Sequence, residues 1–270
     1  MRTEINGIRN AMNAIAFNDS GDAFIYDRSE QRVVRLDTST GIYSPLRWDS
    51  SFRHKRWLCY VLFIHQEKLT VLFYKTTKQR YCLVSFQIGA KDELNFLPRS
   101  KVYLSVDSSV DQLQLSYCAQ ERAGNVELIF YERKATTPNE AQRFWYFVYN
   151  ISALTLKREQ TGFLPSSMIW ELPFITSNGL HFIHRKSNGG YLATHSSDDE
   201  DQPVDWTVSD VLPDDSATVN LSRRAVWANC WKNEPFGIFV ISKKQENTTK
   251  AEVWLLDVRL AAWKLCRIVM

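Results

Sequence analysis

The sequence predicts an all-β fold. Its apolar residues come in runs of five to eight, rich in Val, Ile, Phe, Tyr and Trp, and few stretches show a helical period. Only 10 glycines and 8 prolines punctuate the 270 residues. With 44% apolar and 13% aromatic residues the chain can fill a sizeable core, which sets aside a disordered, collagenous or coiled-coil chain.

The first unit opens the chain. Residues 13–17 read as a strand, Asn18 to Asp22 as a turn, and residues 23–26, 32–36 and 42–46 as three further strands. Four antiparallel strands with short turns form a meander, which is one propeller blade. The same order recurs at 57–65, 69–74, 80–86 and 94–97, then at 113–118, 126–131, 144–149 and 154–157. A last set falls at 226–231, 237–242, 252–257 and 263–268. Third strands begin near Arg32, Arg80, Phe144 and Glu252, and the final gap of 108 is twice 54. That gap leaves room for one more blade at 168–174, 180–184, 191–195 and 206–211. The expected architecture is a single β-propeller domain over 1–270 with five four-stranded blades, six being the nearest alternative. Blade limits fall near 1–50, 51–104, 105–165, 166–220 and 221–270. Any helix is expected to be short, within the first 14 residues or in an acidic loop at 196–218.

Asp257-Val-Arg-Leu-Ala-Ala-Trp263 resembles the ending of a kelch repeat, an Asp closing the third strand and an aromatic six positions later opening the fourth. Asp37 to Tyr43 repeats that spacing. The kelch glycine doublet after the second strand is absent, with Tyr26-Asp27, Tyr74-Lys75 and His184-Arg185 in its place. Phe17 to Asp22 is similar to the first turn of a WD-repeat blade, whereas Trp48-Asp49 follows a fourth strand, the wrong place for that signature. Both resemblances imply a propeller and leave partners unassigned.

No stretch of about 18 apolar residues exists, and the first seven residues lack a signal-peptide core, so a soluble cytoplasmic or nuclear protein is expected. Cys59, Cys82, Cys118, Cys230 and Cys266 are odd in number and widely spaced, which favours reduced, buried thiols over a disulfide framework or zinc knuckle. The four Asn-x-Ser/Thr sequons read as chance matches without a secretory signal.

Catalytic motifs are missing: there is no P-loop, Gly-x-Ser-x-Gly or His-Glu-x-x-His, and no cofactor or metal is expected. His181 and His184, three apart on one strand, face opposite ways and cannot share an ion. His54, His65 and His195 are scattered. Propeller-fold hydrolases aim carboxylates into a central channel, and Asp19, Glu67, Glu121, Glu171 and Glu234 are the residues that could fill that role.

Charge is the more informative property. Residues 196–218 hold eight acids and no base, so the net +3 of the whole chain conceals a body of +11. Sorting loops by the two ends of a meander gives +16 at the end bearing the second-to-third-strand turns and −4 at the other. A one-signed face attracts an oppositely charged partner. The expected function is a non-catalytic interaction module of an intracellular assembly, not an enzyme, that binds an acidic protein segment through Trp48, Arg53, Lys55, Arg56, Trp57, Lys75, Lys78, Arg80, Arg223, Arg224, Lys243 and Lys244. The alternatives are nucleic-acid binding, RNA above all, by the same face, and a hydrolase with channel-lining carboxylates.

Overall fold

The computed structural model describes residues 14–52, 57–89, 92–107, 115–132, 141–166, 168–176, 178–185, 190–195, 206–213, 225–230, 236–245 and 248–266. Five successive antiparallel meanders run through them. The first is β1 (Ile15–Phe17), β2 (Ala23–Asp27), β3 (Arg32–Leu36) and β4 (Tyr43–Pro45). After the short β5 (Arg47–Trp48) comes the second, β6 (Trp57–His65), β7 (Lys68–Lys75), β8 (Arg80–Ile88) and β9 (Glu93–Phe96), with β10 (Val102–Tyr103) added. The third is β11 (Leu115–Arg122), β12 (Asn125–Glu132), β13 (Arg143–Asn150) and β14 (Thr155–Phe163). The fourth is β15 (Glu171–Thr176), β16 (Gly179–Arg185), β17 (Gly190–His195) and β18 (Thr207–Pro213). The fifth is β19 (Ala225–Cys230), β20 (Phe236–Gln245), β21 (Thr248–Asp257) and β22 (Ala262–Cys266). The fold class is the expected one, all-β and built of the four-stranded unit of a propeller blade.

Position within a sheet explains the residue patterns. β7 reads Lys-Leu-Thr-Val-Leu-Phe-Tyr-Lys and is buried on both faces between its ends, so it is a near-continuous apolar run. The last strand of the third sheet, β14, alternates exposed and half-buried residues along its whole length, as a strand covered on one face does. Contacts divide the chain into two compact units. One comprises Met1–Val110, Glu121–Leu128 and Tyr146–Glu159, the other Asp111–Gln120, Ile129–Trp145 and Gln160–Met270. The first unit is centred on Phe24, Tyr26, Val33, Trp57, Phe73 and Phe86, with Phe52 seated edge-on against Trp57 (5.5 Å) and Phe86 (4.8 Å). In the second, Phe174, Ile183, Leu192, Trp254 and Leu256 pack together, and Trp206 meets Phe144 and Phe182 edge-on.

Some strand edges are covered by added strands. β5 pairs parallel with the outer edge of β9 (Arg47 with Glu93, Trp48 with Leu94), β10 takes the length of β8 that β9 leaves open, and β18 pairs parallel with β22. Such pairing removes rows of open backbone groups that would otherwise recruit another chain.

One loop design recurs. Asp27 and Arg32 pair across a four-residue connection, as do Lys75 and Arg80, and Asp257 and Ala262. The fourth loop residue is left-handed in each: Gln31 (φ 52°), Gln79 (φ 49°) and Ala261 (φ 46°). Asp27 Oδ1 accepts the Ser29 N–H at 2.9 Å, Asp37 Oδ1 the Ser39 N–H at 2.8 Å, and Asp257 Oδ1 the Arg259 N–H at 3.0 Å. An Asp opening such a loop and an aromatic six residues on are therefore hairpin chemistry. The spacing of Asp37 with Tyr43 and Asp257 with Trp263 is accounted for by Asx-supported turns, and the structure supports a propeller fold without supporting the kelch or WD-repeat type.

Other expectations change. The one helical turn among the described residues is the 3-10 turn Pro98–Ser100, outside both places expected for a helix. Within the acidic stretch, Thr207–Pro213 is strand β18, paired with β17 close to the strand expected at 206–211. Residues 196–205 and 214–218 lie outside the described residues.

Candidate nucleic-acid interface

The β7–β8 hairpin end of the second sheet gathers the cations. Trp57, Lys75 and Arg80 are successive partners across β6, β7 and β8, so their side chains share one face. Tyr103 on β10 pairs with Cys82, which places it on that face as well. Lys75 Nζ lies 5.3 Å from the centre of the Trp57 ring and Lys101 Nζ 4.9 Å from it. Lys101 and Lys78 reach the Tyr103 ring at 5.6 and 5.8 Å. These are cation–π distances, and they hold three ammonium groups around two aromatic rings.

Lys78, Arg80 and Lys101 are exposed and Lys75 is half-buried. Among the described residues none of the four forms an ion pair with a carboxylate. The field of the lysines reaches inward. Burial pushes the Cys82 thiol up to about 12, while Lys101 and Lys75 pull it the other way. Burial likewise raises Cys59, opposed by the charge of Arg28 on the β2–β3 loop. The neighbouring carboxylate Asp27 is engaged by its own loop. Burial acts to raise its pKa, and hydrogen bonds from the Ser29 hydroxyl and the Ser29 and Glu30 N–H groups outweigh that and lower it.

The structure thus brings together Trp57, Lys75, Lys78 and Arg80 of the expected site and adds Lys101 and Tyr103. The aromatic residues differ from expectation. Trp57 is 5% exposed and belongs to the core. Trp48 is half-buried, packs on Phe86 (5.0 Å) and donates its Nε1–H to Gln31 O at 2.8 Å. Neither stands out as an exposed anchor for a protein partner. Lys243 and Lys244 lie within strand β20, paired with Lys250 and Thr249, and not in the loop assumed for them. Arg53, Lys55, Arg56, Arg223 and Arg224 lie outside the described residues, although Arg56 directly precedes Trp57 in the chain.

The carboxylates proposed for hydrolysis are dispersed. Asp19 and Glu67 are exposed, Glu171 is half-buried on β15, and Glu234 lies outside the described residues. Glu121 lies 3.4 Å from His65. His181 is buried between two threonines, and His184 bonds Ile169 O at 2.8 Å from the opposite face. His195 is buried beside Trp206, and His54 lies outside the described residues. No group of three potential metal ligands occurs among the described residues.

No protein-family model matches the chain, and no curated protein matches it. Solved structures do resemble it. A prolyl endopeptidase aligns over 93% of this chain at 11% identity with a TM-score of 0.47, and the chain spans only 33% of that protein. A streptogramin B lyase aligns over 90% of this chain and 89% of its own length, at 10% identity and a TM-score of 0.41. A PQQ-bound aldose sugar dehydrogenase from Streptomyces coelicolor aligns over 88% and 92%, at 8% identity and 0.33. These three are enzymes by name, which runs against the expectation of a non-catalytic scaffold that is not an enzyme. At these identities and TM-scores the likeness assigns the chain no reaction, substrate or residue.

Proposed function

We propose that the chain binds nucleic acid, RNA in the first instance, through the basic end of its second sheet. The observation that carries this reading is the cluster of Lys75, Lys78, Arg80 and Lys101 around Trp57 and Tyr103, four cations without a carboxylate partner among the described residues. A phosphate backbone supplies regularly spaced anions to such a cluster and releases counterions on binding. Arg53, Lys55 and Arg56 come just before Trp57 in the sequence. Lys fits this role as a point charge toward phosphate, and the half-buried Tyr103 adds a ring beside it. In this reading the five meanders are five blades of one propeller, and the protein acts in the cytoplasm or nucleus, where RNA is met.

The test is fluorescence anisotropy with a labelled RNA oligonucleotide and the full chain. If six or more phosphates are neutralised, affinity falls roughly a thousandfold between about 50 and 200 mM salt. Replacing Lys78, Arg80 and Lys101 together with Glu lowers affinity for every sequence alike and flattens the salt dependence by about two logarithmic units per logarithmic unit of salt. Absence of binding at low salt, or an unchanged slope in the triple variant, overturns the reading.

A further inference from the structure

The first sheet carries an apolar surface at the end formed by its β1–β2 and β3–β4 turns. Register aligns Phe17 with Ala23, Ala23 with Leu36 and Leu36 with Tyr43, so these four side chains form one row on one face. Phe17 and Tyr43 stand at the ends of the row, about 14 Å apart at the usual strand spacing. Between them the floor is the buried methyl of Ala23 and the half-buried Leu36. Ile15 lies two residues before Phe17 on the same face of β1, and Ile42 directly precedes Tyr43. Phe17 is 64% exposed, Ile42 66% and Tyr43 58%. Single exposed apolar residues are ordinary, whereas a group of them on one small sheet marks an interaction surface.

The frame that holds these side chains is fixed. Thr38 Oγ1 donates to Gly21 O at 2.8 Å and ties the two turns together. In the first turn the Asp22 N–H bonds Asn18 Oδ1 at 2.8 Å; in the second the Asp37 N–H bonds Ile42 O at 2.9 Å. Such a surface needs little ordering when a partner arrives. Its charge has one sign. Residues 18–22 and 37–42 hold Asp19, Asp22 and Asp37 and no Lys or Arg. Asp22 is neutralised by Arg35 at 2.6 Å, which leaves the exposed Asp19 beside Phe17 and Asp37 beside Ile42. Hydrogen bonds from Ser39 and Thr40 hold the Asp37 carboxyl down at about 2, so it is an anion at neutral pH. We propose that this end of the first sheet docks a basic peptide segment of a partner protein. An apolar side chain of the segment lies over Ala23 between Phe17 and Tyr43, and flanking Lys or Arg side chains meet Asp19 and Asp37. An acidic segment would meet like charge there, and a wholly apolar one would bury the two carboxylates without partners. This surface is independent of the nucleic-acid reading and shares no residue with it.

The test is fluorescence anisotropy of the full chain with a short fluorescein-labelled peptide of alternating leucine and lysine. Saturable binding is expected, and Phe17→Ser combined with Tyr43→Ser should lower affinity at least tenfold. Asp19→Asn combined with Asp37→Asn should lower it severalfold at low salt and remove most of its salt dependence. Serine in place of each leucine of the peptide should abolish binding. Leu260→Ser, an exposed apolar position on the β21–β22 loop, should bind as the parent does, and all variants should melt with the parent because the substituted side chains lie at the surface. Equal affinity of the parent and the Phe17/Tyr43 variant, or salt dependence unchanged in the aspartate variant, overturns the proposal. Sedimentation in which the parent self-associates and the Phe17/Tyr43 variant does not would place a second copy of the chain on this surface and overturn it equally.

Discussion

His181 shows how much a single side chain can set. Its ring is buried, stacked on Phe174 at 4.9 Å, with Nε2 2.7 Å from Thr176 Oγ1 and Nδ1 3.0 Å from Thr194 Oγ1. Burial pushes its pKa down to about 3. An unfolded histidine titrates near 6.5, so between that value and about 3 the unfolded chain takes up a proton that the folded chain refuses. This contribution to stability is complete above pH 6.5 and is lost as pH falls, by about 1.4 kcal/mol per pH unit at most. Urea unfolding of His181→Gln across pH 7 to 4 should show a shallower acid loss than the parent, by close to one proton. Equal slopes would mean that His181 is protonated in the fold. The sequence places this histidine on a strand facing away from His184, and that orientation is correct. Its threonine partners are not legible there, because Thr194 comes opposite only once β16 and β17 take their register.

At the scale of elements, strand positions follow from apolar runs and turn residues, and the five meanders fall where the sequence puts them. Two-residue strands such as β5 and β10 carry no periodicity and escape such a reading; their pairing is decided by the edge they cover. The left-handed loop residues escape it too, since Gln31, Gln79 and Leu154 stand where glycine would announce a turn. A left-handed residue with a Cβ costs about 1–2 kcal/mol, and glycine returns part of that through its greater freedom when unfolded. Leu154→Gly should therefore stabilise the chain by about 0.5–1 kcal/mol, read as a higher urea midpoint at constant slope; a lower midpoint would mean that Leu154 packing outweighs the backbone cost. Gly124→Ala is the converse. It combines a φ of 76° with a 2.8 Å approach to His65 and should destabilise by at least the left-handed cost, about 1–2 kcal/mol.

At the scale of the whole molecule the near-neutral net charge hides a local basic cluster, and this much of the candidate site is legible in the sequence: Lys75, Lys78 and Arg80 fall within six residues with no acid between them. What sequence reading misassigns is the role of the tryptophans, because a Trp beside basic residues looks the same on paper whether it faces water or a core. The structure separates the two roles, and so do variants. Trp57→Ala empties a packed position and should cost about 3–5 kcal/mol, whereas Lys78→Glu should leave stability within about 0.5 kcal/mol while weakening binding to RNA. A Trp57→Ala variant as stable as the parent would return that ring to the surface.

Cys59 and Cys82 sit on opposite flanks of Phe73, 3% and 0% exposed in the middle of the second sheet. Burial holds both as neutral thiols, and it is the thiolate that attacks an alkylating reagent. Their alkylation must wait for β6, β7 and β8 to part. The rate at which each sulfur acquires a label under native conditions is therefore a clock built into the wild-type chain, timing how often this sheet opens and with what free energy. Run with and without RNA, the clock reads whether occupying the lysines at the hairpin end keeps the sheet shut.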